Sequence, residues 1–231
     1  MVPVEQVVIY CPRPAVADRY EAWAVGCDGS GDTKLFTFPA AFVGAAHEQN
    51  DHTLGVDHTT GTVYYGFLQR SADNTVKHFT IYAFTTVSAV PTLIYTHNVS
   101  GNAFAEINVL DFNMFTRRLL FFESYGANQV TATKAVKECE SDGTAPTTLI
   151  DLNLLGHTET RARVSYKDRC IYSWDFTGTR ATDIGGGLFK RDFSYTTIKK
   201  IANRASLSHD FAAGFELGCG PEKLGSKYAG W

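Results

Sequence analysis

Arg161-Ala-Arg-Val-Ser-Tyr166, Cys170-Ile-Tyr-Ser-Trp-Asp-Phe176 and Gly185-Gly-Gly-Leu-Phe-Lys-Arg191 follow one another toward the C-terminus. The first two alternate apolar with polar side chains, as a strand with one inward face does, and glycines open the third as a flexible hairpin would. Thr196–Ala205 then carries helix spacing, with Ile198, Ile201, Ala202 and Ala205 on one face and Ser194 or Thr196 placed to cap it. Asp210-Phe-Ala-Ala-Gly-Phe215 and Cys219-Gly-Pro-Glu222 end the stretch. Strand, strand, strand, helix and cysteine tail in that order predict an antiparallel barrel that closes on its last strand and lays one helix against its wall.

Working upstream, the same alternation predicts strands at Lys34–Phe38, Thr62–Gln69, Val76–Thr86, Thr92–Thr96, Ala103–Phe112, Arg117–Glu123, Val130–Glu138 and Thr147–Leu154. Turn formers separate several of them, at Ser71–Asn74, Ser100–Asn102, Gly126–Asn128 and Ser141–Gly143. The reading is all-β: an antiparallel meander closed into a β-barrel with one C-terminal α-helix, preferred over a sandwich because of the helix and tail. No repeat of 20–50 residues is visible, which argues against a propeller. No linker divides the chain. It reads as one domain over residues 1–231, with an irregular extension (1–60) before the barrel and helix (61–222).

Composition supports the class. Sixteen Phe and eleven Tyr, with abundant Val, Ile and Thr, favour pleated half-buried surfaces. Net charge is −3, from 21 basic and 24 acidic residues, and gives no field for nucleic acid or anionic membrane. The apolar run Phe36–Ala46 is broken by Pro39 and Gly44 and is too short for a transmembrane segment. The first residues lack a basic then apolar leader pattern, which leaves a cytosolic protein or a mature chain whose targeting segment has been removed. Cysteines at 11, 27, 139, 170 and 219 form no CxxC pair and read as a disulfide framework with one left over, which favours a secreted or organelle-lumen protein. Asn98-Val-Ser100 is a glycosylation sequon.

The Gly185–Arg191 strand, the helix ending near Ala205, Asp210-Phe211, Phe215 and Cys219-Gly-Pro-Glu222 resemble the lipocalin superfamily, most closely the lipocalin domain of violaxanthin de-epoxidase and more distantly crustacyanin. The resemblance covers about the last quarter of the chain. It lacks the Gly-x-Trp of a lipocalin first strand, since Glu21-Ala-Trp23 has only the Trp, and it lacks the cysteine-rich segment of the de-epoxidase. It implies Trp23 at the barrel floor beneath Arg191 or Lys190, held by a cation–π contact. It also implies a tail tied back by Cys219 to Cys139 or Cys170, with Cys11 or Cys27 taking the other.

For chemistry, His47, Asp51, His52, Asp57 and His58 are dense in metal-capable groups but match no metal-site spacing, and read as a solvated loop with no metal. There is no GxSxG elbow or phosphate loop. Glu106 and Asp175 lie within strands, and either carboxyl would act as an acid if it pointed into an apolar cavity; alternation turns both to water, so no catalytic residue is assigned. Tyr65, Phe79, Ile81, Phe121, Tyr172 and Trp174 are the ligand-binding wall candidates. The expected function is transport or binding of a small hydrophobic ligand, a carotenoid, retinoid or lipid, which would be the only bound cofactor, without catalysis. The alternatives are a xanthophyll de-epoxidase or isomerase, and an accessory subunit that docks with a protein partner in a larger pigment–protein assembly.

Overall fold

The computed structural model describes residues 7–10, 21–40, 46–48, 54–73, 75–87, 90–100, 104–128, 131–151, 159–165, 168–175, 187–194 and 198–203. Its strands are β1 (Val7–Tyr10), β2 (Glu21–Gly26), β3 (Thr33–Thr37), β4 (Ala46–Glu48), β5 (Leu54–Asp57), β6 (Thr62–Arg70), β7 (Val76–Phe84) and β8 (Thr92–Ser100). They continue as β9 (Phe104–Asn113), β10 (Arg118–Gly126), β11 (Thr133–Glu140), β12 (Thr147–Asp151), β13 (Glu159–Ser165), β14 (Cys170–Asp175), β15 (Gly187–Arg191) and β16 (Ile198–Asn203). They make four antiparallel sheets, each of strands consecutive in sequence. Sheet I is β1-β2-β3, sheet III is β9-β10-β11-β12 and sheet IV is β13-β14-β15-β16. In sheet II, β6-β7-β8 is preceded by a broken first strand, because β4 and β5 pair with opposite ends of the same edge of β6.

Three apolar layers hold the sheets together, one between each successive pair. Ala22, Phe36 and Phe38 of the sheet I side pack on Val63, Tyr65, Phe67, Tyr82 and Phe84 of sheet II. The opposite face of sheet II presents Tyr64, Leu68, Phe79, Ile81 and Tyr95 to Ile107, Val109, Leu119 and Phe121 of sheet III. The other face of sheet III sets Leu110, Leu120, Phe122 and Val136 against Val164 and Ile171 of sheet IV. Sheets II and III are therefore covered on both faces. Val63 through Gln69 are all buried, and so are Leu119 through Ser124. Burying a large apolar side chain contributes about 1.5–3 kcal/mol, so these two strands dominate the cohesion of the molecule.

Tight hairpins keep each sheet a meander. At β11–β12, Asp142 Oδ1 accepts from Thr144 N at 2.9 Å, and Gly143 has φ 83°. A Cβ there would sit 1.8 Å from the Ile94 carbonyl oxygen, so glycine is required both by conformation and by the approach of β8.

Two expectations are corrected here. No sheet closes into a barrel: a barrel has one interior, whereas these sheets stack with a separate core in each gap. The segment expected to be the C-terminal helix contains strand β16, which pairs with β15, and no helix occurs among the described residues. The disulfide staple is also overturned. Cys139 and Cys170 are buried free thiols, and burial pushes the Cys139 thiol up to about 12, which leaves it unreactive. Cys219 lies outside the described residues, as do Cys11, Asp210–Phe215 and Gly185-Gly186.

Candidate functional site

The sheets also approach one another closely along their first strands. A Cβ on Gly55 of β5 would lie 2.9 Å from Val109 Cγ1 and 3.3 Å from the Phe112 nitrogen of β9. On the other side, Val164 N of β13 donates to Asp111 Oδ2 of β9 at 2.8 Å. These first strands run in the same sense. Asp57, at the end of β5, is gripped by Arg117 just past the end of β9. Arg169, just past the end of β13, stands 4.8 Å from the ring centroid of Phe115, again past the end of β9.

That shared direction brings the starting ends of the three strands to one rim. Glu106 is near the start of β9, five positions before Asp111, and Glu159 opens β13, five positions before Val164. Glu48 of β4 pairs with Leu68, two positions beyond the Gly66 that abuts Val109, so it too stands level with the start of β9. Three glutamate positions thus occupy the same end of three adjacent first strands.

Around Glu106 the sheet face is polar within an apolar interface. Asn108 Nδ2 donates to Glu106 Oε1 at 2.9 Å, and Ser124 stands directly opposite Glu106 on β10. Asn108 Oδ1 and Ser124 Oγ are buried without a hydrogen-bond partner among the described residues. An unsatisfied buried polar atom costs about 1–3 kcal/mol, so two side by side are retained against stability.

A second polar cluster lies between sheets II and III on the outer side. Glu123 of β10 is fully buried. Its Oε1 accepts from Tyr95 OH at 2.7 Å, and its Oε2 accepts from Lys137 Nζ at 2.6 Å and lies 3.3 Å from His97 Nδ1. Burial pushes its proton affinity up, but His97, Lys137 and Tyr95 outweigh that and hold the carboxyl below the usual glutamate range. Burial, reinforced by Glu123, raises Tyr95 so that its hydroxyl stays a donor.

The sequence-derived wall residues do not meet in one cavity. Tyr65 belongs to the layer between sheets I and II, 5.1 Å from the Phe38 ring. Phe79, Ile81 and Phe121 belong to the next layer. Tyr172 is half-buried in sheet IV, and its hydroxyl donates to Asp168 at 2.7 Å. Trp174 lies on β14 opposite Leu188, its side chain outside what is described. Trp23 stacks on Tyr10 and donates to Glu21, while Arg191 is buried with its guanidinium 5.9 Å from the Phe189 ring. Those two belong to sheets I and IV. Of the polar loop, Asp57 is committed to Arg117, Thr59 and Thr60. Asp51 and His52 lie outside the described residues. Sequence reasoning passed over Glu123, His97 and Asn108, although a lone acid in Leu-Leu-Phe-Phe-Glu and a lone amide in Ile-Asn-Val-Leu were visible as polar breaks in apolar runs.

Four-stranded antiparallel meanders stacked face to face, converging on their first strands, are the blades of a β-propeller. No family model and no curated protein matches the sequence. Solved structures share the fold, and two among them can be described. One is an α-L-arabinanase from Penicillium chrysogenum complexed with arabinobiose, at TM-score 0.53 and 9% identity over 87% of this chain and 64% of that one. The other is an α-L-arabinofuranosidase from Fusarium graminearum in complex with an iminosugar inhibitor, at TM-score 0.50 and 8% identity over 86% and 63%. The chain spans less than two thirds of the length of either. These matches overturn the lipocalin resemblance and the argument against a propeller: the unit repeats in geometry, not in sequence. The expectation of carotenoid, retinoid or lipid binding and transport rested on a barrel interior and falls with it. The preference for a non-catalytic protein rested on the same barrel interior and loses that footing.

Proposed function

We propose that this chain is a carbohydrate-active enzyme that hydrolyses glycosidic bonds at the rim formed by the starting ends of β4, β9 and β13. The observation that carries the reading is the polar patch of Glu106, Asn108 and Ser124 on the first strand of sheet III and its neighbour. The fold it shares with arabinan-degrading enzymes supports it.

Glycoside hydrolysis needs two carboxyl groups flanking the scissile bond, one to protonate the leaving oxygen and one to act as base or nucleophile. Glu106 receives a hydrogen bond from the Asn108 amide, which orients its carboxyl group and suits it to the second role. Glu159 or Glu48, on the flanking first strands, supplies the acid. Asn108 Oδ1 and Ser124 Oγ offer unsatisfied positions for sugar hydroxyls.

The test is turnover of arabinan and arabino-oligosaccharides by purified protein, read by chromatography of released sugars. Glu106→Gln should lower the rate about 10²–10⁴-fold while the fold persists. Wild-type rates in that variant, or no turnover of neutral glycans by the native chain, would refute the reading.

A further inference from the structure

Strand β8 is the last of sheet II, and among the described residues only β7 pairs with it. An edge strand turns alternate backbone N–H and C=O groups outward, where another chain can pair with them, and folded proteins guard such edges with charged side chains among other devices. The last strands of the other three sheets follow that rule: β3 carries Lys34, β12 carries Asp151, and β16 carries Lys199 and Lys200. In β8 there is no Asp, Glu, Lys or Arg, and none occurs anywhere between Lys77 and Glu106. Part of the strand is shielded, because Gly143 of the β11–β12 turn comes against the Ile94 carbonyl. Beyond it, Thr96, Asn98 and Ser100 are exposed.

That undefended half of the strand holds the sequon Asn98-Val-Ser100. We propose that Asn98 is an N-glycosylation site, and that its glycan keeps the free edge of sheet II from pairing with a second copy of the chain. The inference is independent of the enzymatic reading, and it includes passage of the chain through a secretory compartment. Strand alternation suits the acceptor: Asn98 and Ser100 share one exposed face, while Val99 between them is buried in the core on the other. Asn98 stands opposite His78 on β7, and its Oδ1 accepts from His78 Nδ1 at 2.5 Å. The contact uses the oxygen, so Nδ2 is the atom left to react. In the transfer, Nδ2 attacks C1 of the first sugar of a polyprenyl-diphosphate oligosaccharide. The C1–Nδ2 bond forms, the diphosphate leaves with the pair of the C1–O bond, and Nδ2 gives up one hydrogen as a proton. Oδ1 is untouched, so the His78 contact survives in the glycosylated fold. A large hydrated glycan there occupies the space an approaching strand would need, which a charge does on the other three edges.

Secretion of the full chain behind a cleavable leader from a eukaryotic host tests the site. Enzymatic release of N-glycans in heavy-oxygen water, followed by peptide mapping, should find labelled aspartate in place of Asn98, and Ser100→Ala should abolish the label. An unmodified Asn98 in the secreted protein overturns the proposal. The guarding role is read on the same wild-type sequence made in a bacterial host, which carries no glycan. Light scattering after gel filtration should give a dimer for that protein and a monomer for the glycosylated one at the same concentration. Thr96→Lys puts a charge on the exposed edge and should restore the monomer without any glycan, with thermal melting confirming that the variant folds. A bacterial protein that stays monomeric overturns the guarding role, and a dimer that persists in folded Thr96→Lys overturns β8 as the pairing edge.

Discussion

Arg117 is the only residue of the β9–β10 turn held at positive φ, at 60°. Its guanidinium donates to both Asp57 oxygens, at 3.0 and 2.7 Å, and so ties the end of β5 to the end of β9. A non-glycine side chain in the left-handed region is strained, and the strain is kept because this conformation aims the guanidinium at the buried carboxylate. Arg117→Ala loses the clamp and keeps the strain, whereas Arg117→Gly loses the clamp and relieves it. Both variants should melt below the wild type, with Arg117→Gly about 2–4 °C above Arg117→Ala in thermal denaturation. Equal melting temperatures would show that the turn bears no strain. None of this was legible beforehand. Asp57 was grouped with neighbouring histidines as a metal-capable loop, and its partner lies 60 residues away.

At the scale of the strand, β10 shows how one element serves two layers. Leu119 and Phe121 face sheet II while Leu120 and Phe122 face sheet IV, so the sequence is a continuous apolar run with no alternation. Β6 reads the same way, Val-Tyr-Tyr-Gly-Phe-Leu. Eleven strand positions were legible to within a few residues because period-2 patterning and turn chemistry are local. What was missed is that a barrel strand lines one interior, whereas a run apolar on both faces calls for a sheet stacked between two others. Glu123 interrupts that run, and its network predicts a pH response. Its folded-state pKa is depressed, so its stabilising contribution is complete above the ordinary glutamate value of about 4.3 and is lost as pH falls through the lower folded value. Chemical denaturation should place Glu123→Ala about 3–5 kcal/mol below wild type near neutrality, since Lys137 is left without its carboxylate. That gap should narrow in acid below pH ~4. A gap independent of pH would mean that the carboxyl is not ionised in the fold.

Across the whole molecule, four sheets with a separate apolar layer in each gap behave as a stack in which each sheet is stabilised mainly by its neighbours. Sequence comparison within the chain could not reveal this, because successive sheets fill their gaps with different side chains: phenylalanines and tyrosines between I and II, leucines and valines between III and IV. Identity is not needed where only volume and apolarity are selected. The stack has a measurable consequence for local stability. Sheets II and III are covered on both faces, whereas the layers described for sheets I and IV each cover one face. Opening free energies should therefore follow position in the stack rather than hydrogen-bond count. In native-state amide exchange, β6, β9 and β10 should exchange slowest, at rates set by global unfolding, with β2, β3, β15 and β16 faster through opening of the terminal sheets. Tyr65→Ala, which thins the first layer, should accelerate exchange in β2 and β3 much more than in β13 and β14. If all four sheets instead exchanged together and responded alike to Tyr65→Ala, the molecule would be a single cooperative core, and the stacked-layer description of its stability would be wrong.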